Sequence, residues 1–327
     1  MITNNKKLFF DKKIDFSIII LVYNEQYYLP NLLKKLIYYL NNSNYNIEIL
    51  FIDSESTDNS ITIIKNAMKK YQQIKLLRIS KRSFHYARTR NFAVKKAKGK
   101  YILFISADAL PVNKRMLDYI NEDFNLSKRV QAVFCPHIPY KKTKIIQKLE
   151  VICYFERLKK YVNSNGLLIQ DIKNPFIPYT KKNEFVWYML SNTCAAYKRK
   201  FILKNPFLNI NYGEDLAMGK YLIEKRFIKI YDTRFKVIHS HIFSLKEYYQ
   251  REKEFIFSSK YQLKLKKSSN FICKLKKIIS MQHTVFFKKI YFVMSLFFYY
   301  AIKIIILLHI NYENLARHSY ARSKTNR

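Results

Sequence analysis

Two short apolar runs with a helix-spaced segment between them constrain the fold of this chain more than any other feature. Ile74–Ile79 and Tyr101–Ile105 are short and continuous, as expected for buried strands. Between them, Arg90–Ala97 has helical spacing, and Gly99 can end the helix. Strand, helix and strand form a βαβ unit, and ligands of such sheets bind beyond the carboxyl ends of the strands. The pattern therefore predicts a site at Asp108.

The same alternation of strand and helix begins earlier in the chain. Over roughly the first 130 residues it predicts an α/β fold with a mainly parallel, Rossmann-like sheet flanked by helices. The predicted elements are strands at Phe16–Val22 and Ile47–Ile52, a helix at Leu29–Leu40, and a helix through Ile61, Ile64 and Met68 that Ser56 or Thr57 would cap.

The second half of the chain is less regular. Its pattern predicts a domain of residues 1–245 followed by a basic helical region, 246–327. The predicted elements are a helix at Lys141–Val162, a loop at Asn163–Asn183, a strand-like segment at Phe185–Tyr197, a helix at Gly213–Lys225, strands at Phe227–Tyr231 and Phe235–His239, and helices from Leu245 onward.

Composition narrows the class of protein. A hydrophobic content of 49% is enough for a packed core, and 4 Gly with 7 Pro exclude a collagen-like or low-complexity chain. Sixty basic against 23 acidic residues give a net charge of +37, which fits a polyanionic partner, a membrane surface or a Lys-rich codon bias. The N-terminus has no apolar core long enough for a signal peptide. The four cysteines lack a CxxC pair, and we expect them to be reduced and inert, as in the cytosol.

Acidic and imidazole side chains lie where strands and helices meet. Asp53 follows a strand and can accept a hydrogen bond from a pyrimidine N–H, although loop solvation explains such a residue equally well. Asp108 follows another strand and is suited to a divalent cation on a diphosphate. Glu214 and Asp215 open a helix, where acidic residues are favoured by the dipole alone, but either can be a general base. His239 and His241 are two residues apart and offer neutral imidazole ligands.

Taken in order, these segments resemble the inverting family-2 glycosyltransferases of the GT-A fold over roughly residues 15–250. Within that family the chain is most similar to the bacterial rhamnosyltransferase-like group. The matching segments are SIIILVYNE, ILFIDSESTDNS, FHYARTRNFAVKKAKGKYILFISADALP, SNTCAAYKR, GEDLAMGKYLIE and FKVIHSHIFSLKEYYQR.

The resemblance implies a role for each matching residue. Asp215 would be the catalytic base, with Glu214 as the weaker candidate, and Asp108 would hold Mg²⁺ or Mn²⁺ with His241 as a second contact. The nucleotide-sugar would be bound by Tyr23, Asn24, Glu25, Asp53, Arg90, Asn91 and Asp108, and the acceptor and donor-sugar pocket would be bordered by Ser191, Asn192 and Cys194. Two positions depart from the family pattern. Glu55 stands where a Gly or small residue is usual, and Ala107 replaces the usual Gln or Asp.

The C-terminal region carries a further apolar segment. Ile290–Ile302 is apolar except for Ser295, and Lys303 interrupts its continuation. Because Lys288, Ser295, Tyr299 and Lys303 share one helical face, the pattern favours a helix in the membrane interface. A single spanning helix or a helix packed on the catalytic domain are the alternatives.

The sequence thus predicts a metal-dependent inverting glycosyltransferase at the cytoplasmic face of the membrane. We expect it to transfer rhamnose from dTDP-rhamnose to a lipid-linked cell-surface polysaccharide. A UDP-sugar donor is the first alternative, and an inactive family member or a basic nucleic-acid-binding protein are the others. No nucleic-acid partner is expected, because the acidic residues fall at strand ends and no nucleic-acid-binding motif is present.

Overall fold

The computed structural model describes residues 13–241, 243–258, 271–281, 284 and 286–325, the last thirteen of these as backbone only. The chain divides into two compact units. The first comprises Met1–Phe84, Arg88–Leu110 and Asn192–Pro206, and the second comprises His85–Ala87, Pro111–Ser191 and Phe207–Arg327.

The first unit is built around a twisted, mainly parallel set of strands in the order β3-β2-β1-β4-β9. Its strands are β1 (Phe16–Val22), β2 (Ile47–Asp53), β3 (Ile74–Arg78), β4 (Tyr101–Ile105) and β9 (Cys194–Lys198), and its helices are α1 (Leu29–Asn42), α2 (Ser60–Met68), α3 (Tyr86–Lys96) and α7 (Arg199–Lys204). This arrangement confirms the predicted α/β fold with a mainly parallel sheet flanked by helices.

Strand register explains why the predicted site lies at one edge of this sheet. β1 pairs in parallel with β2 and with β4, so that Val22 lies beside Asp53. Every residue of β2 and β4 is buried, as expected for parallel strands covered on both faces. The carboxyl ends of these three strands therefore carry the loops that contain Glu25, Asp53 and Asp108.

A buried carboxylate ties the opposite ends of these strands together. Glu48, 1% exposed, accepts hydrogen bonds from the Ser17 hydroxyl at 2.6 Å and the Lys98 amide at 2.6 Å, and pairs with Lys75 at 2.8 Å. Burial opposes ionisation, but these donors outweigh it and lower the pKa of Glu48. Gly99 donates to the Ser17 hydroxyl at 2.7 Å, and a Cβ on Gly99 would lie 2.4 Å from the Ser17 amide nitrogen. Gly99 thus allows the chain to pass close to β1 before it enters β4.

The second unit contains shorter strands and most of the helices. In it β10 pairs in parallel with β6 and antiparallel with β8, and β11 pairs in parallel with β7. The strands are β6 (Val130–Phe134), β7 (His137–Ile138), β8 (Leu167–Gln170), β10 (Ile228–Asp232) and β11 (Val237–Ile238); β5 (Leu110–Pro111) lies at the boundary of the units. The helices are α4 (Met116–Asn125), α5 (Ile145–Lys159), α6 (Glu184–Tyr188), α8 (Glu214–Glu224), α9 (Leu245–Phe257), α10 (Phe271–Ile279) and α11 (Phe286–Thr325).

Four sequence-based predictions about secondary structure were wrong. The predicted loop at Asn163–Asn183 contains β8, and the strand-like segment at Phe185–Tyr197 begins with α6 and becomes a strand only at Cys194. The strand predicted at Phe235–His239 is reduced to β11. Helix α2 begins after Asn59, because Ser56 and Thr57 contact the loop after β1 instead of capping the helix. Short apolar runs are ambiguous between helix and strand, and tertiary contacts decide between them.

The expectation that all four cysteines are reduced is also wrong. Cys153 of α5 and Cys273 of α10 are joined by a disulfide, whereas Cys135 and Cys194 are buried and unbridged. A separation of 120 residues hides this pair in the sequence, since no spacing rule connects cysteines that only the packing of two helices brings together.

Gly219 provides a test of the packing of α8 against α6. A Cβ at Gly219 would lie 2.0 Å from the Tyr188 carbonyl oxygen, whereas one at Gly213 would meet nothing within 4 Å. We expect Gly219→Ala to lower the free energy of unfolding by about 1–3 kcal/mol despite the higher helix propensity of alanine. Urea unfolding measures this change. Gly213→Ala is the control, because an alanine there would meet only the backbone strain of φ +83°. A Gly219→Ala protein as stable as the wild type would contradict the prediction.

Candidate active site

The loops that follow β1 and β2 interlock through side chains. The Asn24 amide donates to the Ser56 hydroxyl at 3.0 Å, and the Thr57 amide donates to Asn24 Oδ1 at 2.8 Å. The Glu25 amide donates to the Ser60 hydroxyl at 2.8 Å. These bonds hold the Tyr23-Asn24-Glu25 segment in one conformation, so its position is set by the second loop as well as by β1.

Two residues of these loops have left-handed backbone conformations. Asn24 has φ +56°, which Asn tolerates, and Glu55 has φ +61°. The family pattern of Gly or a small residue at position 55 therefore has a physical reason, because a Cβ is disfavoured there. Here Glu55 Oε2 accepts a hydrogen bond from the Lys81 amide at 3.0 Å, which partly offsets this strain.

Asp53 ends β2 and is fully buried. Its carboxylate lies 3.3 Å from the Ser56 amide nitrogen and 3.5 Å from Arg78 Nε. The structure thus places Asp53 at the carboxyl end of the sheet, with Arg78 as its charged neighbour. Its role in binding a pyrimidine base stays a prediction.

Negative charge accumulates beside Glu25. Burial, followed by the charges of Asp108 and Asp58, raises the pKa of Glu25 to about 8. Burial, followed by the charges of Asp108 and Glu25, also raises the pKa of the Tyr28 hydroxyl. Two loops and one strand end thus bring together carboxyl groups whose repulsion a bound cation would relieve.

Basic and aromatic residues lie nearby in the same unit. Lys81 Nζ lies 4.4 Å from the centre of the Tyr23 ring and donates to its hydroxyl. Arg90, only 8% exposed, lies 5.7 Å from the Phe104 ring centre, and Asn91 follows it in α3, half-buried. A planar guanidinium suits a diphosphate, so the placement fits the predicted binding role without testing it.

The segment predicted to border the sugar pocket enters β9. Asn192 is 1% exposed, and its Oδ1 accepts a hydrogen bond from the Tyr197 hydroxyl at 2.7 Å. Cys194 is fully buried within β9. Ser191, which belongs to the second unit, is half-buried. Asn192 and Cys194 therefore have clear packing roles, and contact of the three residues with a sugar stays a prediction.

The candidate base opens α8 in the second unit. Gly213, with φ +83°, turns the chain into the helix, and the Leu216 amide donates to Asp215 Oδ1 at 2.8 Å. Glu214 is 5% exposed and Asp215 is half-buried. Greater exposure makes Asp215 the better candidate for a residue that must reach a substrate hydroxyl.

Two tyrosines of the second unit lie near Asp215. Burial, followed by the Asp215 charge, raises the pKa of Tyr154. Burial also raises the pKa of Tyr212 to about 12, with a smaller contribution from Asp215. Arg251 Nη2 donates to the Tyr212 hydroxyl at 3.1 Å. Both phenols therefore stay protonated at neutral pH, and each can donate a hydrogen bond towards an anion.

A chain of ring contacts leads from Arg251 to the histidine segment. Arg251 lies 4.6 Å from the Phe243 ring centre, and Phe243 stacks on His241 at 4.9 Å between centres. His241 contacts His239 at 4.6 Å. Neither histidine lies in β11, although the predicted strand at Phe235–His239 included the first of them.

Sequence reasoning missed Tyr154, Tyr212 and Arg251 as neighbours of the candidate residues. Tyr212 and Arg251 lie next to or within matching segments, which is a usable signal. Tyr154 carries no such signal in the sequence, because it lies in α5 and only tertiary packing brings it near Asp215.

Comparison with known proteins agrees with this architecture. Residues 17–203 match the family described as Glycosyl transferase family 2, and the chain belongs to that family. It is 37% identical over 105 residues to an uncharacterized glycosyltransferase of Haemophilus influenzae, covering 32% of this chain and 40% of that protein. It is 29% identical over 209 residues to the O-antigen chain rhamnosyltransferase WbaN of Salmonella anatum, covering 62% and 60%.

A third relative, a poly(ribitol-phosphate) beta-glucosyltransferase of Bacillus spizizenii, is 32% identical over 117 residues, which are 36% of this chain and 18% of that protein. The chain thus matches less than two thirds of the length of each of these relatives.

Solved structures confirm the GT-A-like fold. The mannosyltransferase PcManGT of Pyrobaculum calidifontis, solved with GDP-Man and Mn²⁺, superposes with a TM-score of 0.54 at 15% identity and covers 96% of this chain and 81% of its own. Residues 1–349 of TarS from S. aureus give a TM-score of 0.50 at 16% identity, covering 86% and 69%. At these identities the likeness concerns the fold alone.

The raised pKa of Glu25 predicts how metal-free stability depends on pH. A carboxyl whose pKa is about 8 in the folded state and near 4.5 when unfolded stabilises the protein at low pH. This contribution is lost as the pH rises towards 8. We expect Glu25→Gln to flatten this part of the pH dependence of the free energy of unfolding, measured by urea titration in chelator. Glu55→Gln is the control, and equal curves for Glu25→Gln and the wild type would contradict the prediction.

Proposed function

We propose that this protein is an inverting glycosyltransferase that transfers a sugar from a nucleotide-sugar donor to a hydroxyl of an acceptor. The observation that carries the proposal is the group of carboxyl-bearing loops at the ends of β1, β2 and β4, in a chain that belongs to glycosyl transferase family 2. The candidate base on α8, with two half-buried tyrosines beside it, supports the proton transfer that the reaction requires.

Asp215 would accept the proton of the acceptor hydroxyl as its oxygen attacks the anomeric carbon. The bond to the nucleoside diphosphate breaks on the opposite side, which inverts the anomeric configuration. Tyr154 and Tyr212, held as neutral phenols, would fix the orientation of the Asp215 carboxylate. Tyr23, Asn24 and Asp53 would bind the nucleoside, and Arg90 with Asn91 would lie near the diphosphate.

A divalent cation, Mg²⁺ or Mn²⁺, would neutralise the charge that develops on the leaving diphosphate. Asp108 of the first unit would supply a carboxylate ligand, and His239 and His241, which contact each other in the second unit, would supply imidazoles. Such groups suit a divalent cation, and the charges of Asp108 and Asp58 beside Glu25 favour one as well. Asp108 with His241 is the pair that we propose as ligands, since both lie in segments that match the family.

For the substrates we propose dTDP-rhamnose as donor and a lipid-linked saccharide of a growing cell-surface polysaccharide as acceptor. Similarity to an O-antigen chain rhamnosyltransferase supports this choice, and similarity to a beta-glucosyltransferase favours a UDP-sugar as the alternative. Such an acceptor would place the protein at the cytoplasmic face of the inner membrane. Residues 1–245 would carry catalysis and 246–327 the membrane contact.

Replacing the proposed base separates chemistry from binding. We expect Asp215→Asn to lower kcat by at least about 100-fold, because a positioned general base contributes that much or more. Nucleotide binding should be unchanged, because Asp215 would contact the acceptor. Single-turnover assays with the donor measure the first effect, and calorimetric titration with the nucleotide measures the second. Glu214→Gln is the matched control, and full activity of Asp215→Asn would refute the assignment.

The donor and the metal can be tested without an acceptor. We expect dTDP with Mn²⁺ to raise the melting temperature of the wild-type protein, since a ligand of the folded state stabilises by mass action. Asp108→Asn should remove the Mn²⁺-dependent part of this shift. A larger shift with UDP would support the alternative donor. No shift with dTDP, UDP, GDP or CMP would contradict the proposed enzyme and favour an inactive family member.

A further inference from the structure

Helix α11 has an apolar face that the described part of the protein leaves uncovered. Ten large side chains, single or in adjacent pairs, recur three or four residues apart with one gap of six, and are between 41 and 79% exposed. We call them the apolar stripe: Phe287, Ile290, Tyr291, Met294, Phe297, Phe298, Ile304, Ile305, Leu308 and Tyr312.

The stripe is too large to face water alone. Because one aromatic side chain presents about 150–250 Å² and an aliphatic one less, the five aromatic and five aliphatic members, each roughly half-exposed, form an apolar surface on the order of 1,000 Å². The largest patch of an ordinary soluble monomer is about 300–600 Å². Spread along 26 helical residues of about 1.5 Å rise each, the stripe is also long and narrow, roughly 39 Å from end to end. Such a shape suits contact along a flat surface.

The opposite face of α11 packs within the second unit. Leu296 joins Ile146, Leu149 and Ile278 of α5 and α10 in one buried cluster. Ile306 and Ile310 form a second cluster with Ile256 of α9. The helix is therefore fixed along its length to helices of the same unit.

Two lysines of this region, Lys274 and Lys303, face the protein and not the solvent. Lys303, whose side chain is 16% exposed, lies 3.3 Å from Glu150 and 3.3 Å from Glu252. Lys274, 2% exposed, lies 2.9 Å from Glu150. The rings of Tyr299 and Tyr248 are in contact, with 4.7 Å between their centres. Two of the polar residues that share one helical face, Tyr299 and Lys303, thus point inward, and the outward side is apolar.

This packing argues against a spanning helix, although Phe286–Tyr312 has the length and composition to cross a membrane. Immersing α11 would carry the Glu150, Glu252 and Lys303 charges and the polar faces of α5 and α9 into hydrocarbon. Burying ionised groups there is costly. A helix lying in the plane of the interface exposes only its stripe to lipid and leaves these charges in the protein.

We infer that the apolar stripe of α11 inserts into the interface of an anionic bilayer, with the helix axis parallel to the membrane. This inference deepens the proposed location and rests on it. Charge complementarity identifies the occupant: residues 246–327 contain seventeen Lys and Arg against four Asp and Glu, and Lys276 and Lys288 are exposed near the ends of α10 and α11. A second basic copy of the chain would bring these charges against each other, whereas anionic lipid attracts them.

Flotation of the purified full-length protein with lipid vesicles tests this inference. We expect flotation with vesicles of phosphatidylcholine and phosphatidylglycerol and less with phosphatidylcholine alone. High salt should weaken the binding without abolishing it, because the charges are screened while the apolar contact remains. The double variant Met294→Glu, Phe298→Glu should bind at least about tenfold more weakly, since it places two carboxylates in the lipid-facing stripe.

The control variant is Leu126→Glu, Leu208→Glu, which replaces side chains of similar exposure, 55 and 57%, in the same unit but outside the stripe. It should float like the wild type. Urea unfolding checks that both variants are folded. Flotation requires neither donor nor catalysis, and a Mn²⁺-dependent nucleotide shift in the stripe variant would show that the nucleotide site is intact. Failure of the two proposals is therefore distinguishable.

Three outcomes would overturn the inference. Unchanged flotation of the stripe variant would show that the stripe does not contact lipid. A wild-type protein that stays with vesicles in alkaline carbonate would be spanning and not in-plane. A wild-type dimer that does not float, and that the stripe substitutions dissociate, would show that a second copy covers the stripe.

Discussion

The site of the first unit depends on one electrostatic constraint, the crowding of carboxyl groups at the carboxyl ends of parallel strands. Parallel pairing of β1 with β2 and β4 brings their exit loops to one edge of the sheet. There burial, followed by the charges of Asp108 and Asp58, raises the pKa of Glu25 to about 8. Perturbed carboxyl pKa values of this kind are typical of functional sites, and a cation bound at this edge would relieve the repulsion. At the other end of the strands, the Glu48 carboxylate is neutralised by partners within the protein, so it does not require a bound cation.

In the second unit, helix packing and neutral side chains set the surroundings of the candidate base, Asp215. Asp215 lies at the start of a helix, beside half-buried tyrosines that remain protonated, and Arg251 donates a hydrogen bond to one of them. The close approach of α8 to the Tyr188 carbonyl, which Gly219 permits, sets the position of that helix. A carboxylate in such surroundings would be oriented without being neutralised, because phenols donate hydrogen bonds without carrying a positive charge.

Helix α11 differs from an ordinary surface helix, because its apolar side faces outward and the side that carries Lys303 packs against the protein. Lys303 is paired with glutamates of α5 and α9, and the aromatic residues of the apolar stripe face outward. Helical spacing places Lys303 on a polar face but does not show that this face packs on the protein, since in an isolated helix a lysine has no closer partner than solvent. The partners Glu150 and Glu252 lie far away in sequence, and only packing brings them to Lys303.

The sequence by itself determined the elements whose signals are local. Continuous apolar runs predicted β1, β2 and β4, the polar residues after them predicted the edge that carries the site, and the order of motifs predicted the family. Tertiary structure alone decided features that depend on distant contacts: the antiparallel insertion of β9 beside β4, the Cys153–Cys273 disulfide, the raised pKa of Glu25 and the outward face of α11. Periodicity reports which side of an element is apolar. What lies against that side, and what charge it meets there, is set by residues that the chain brings together only when it folds.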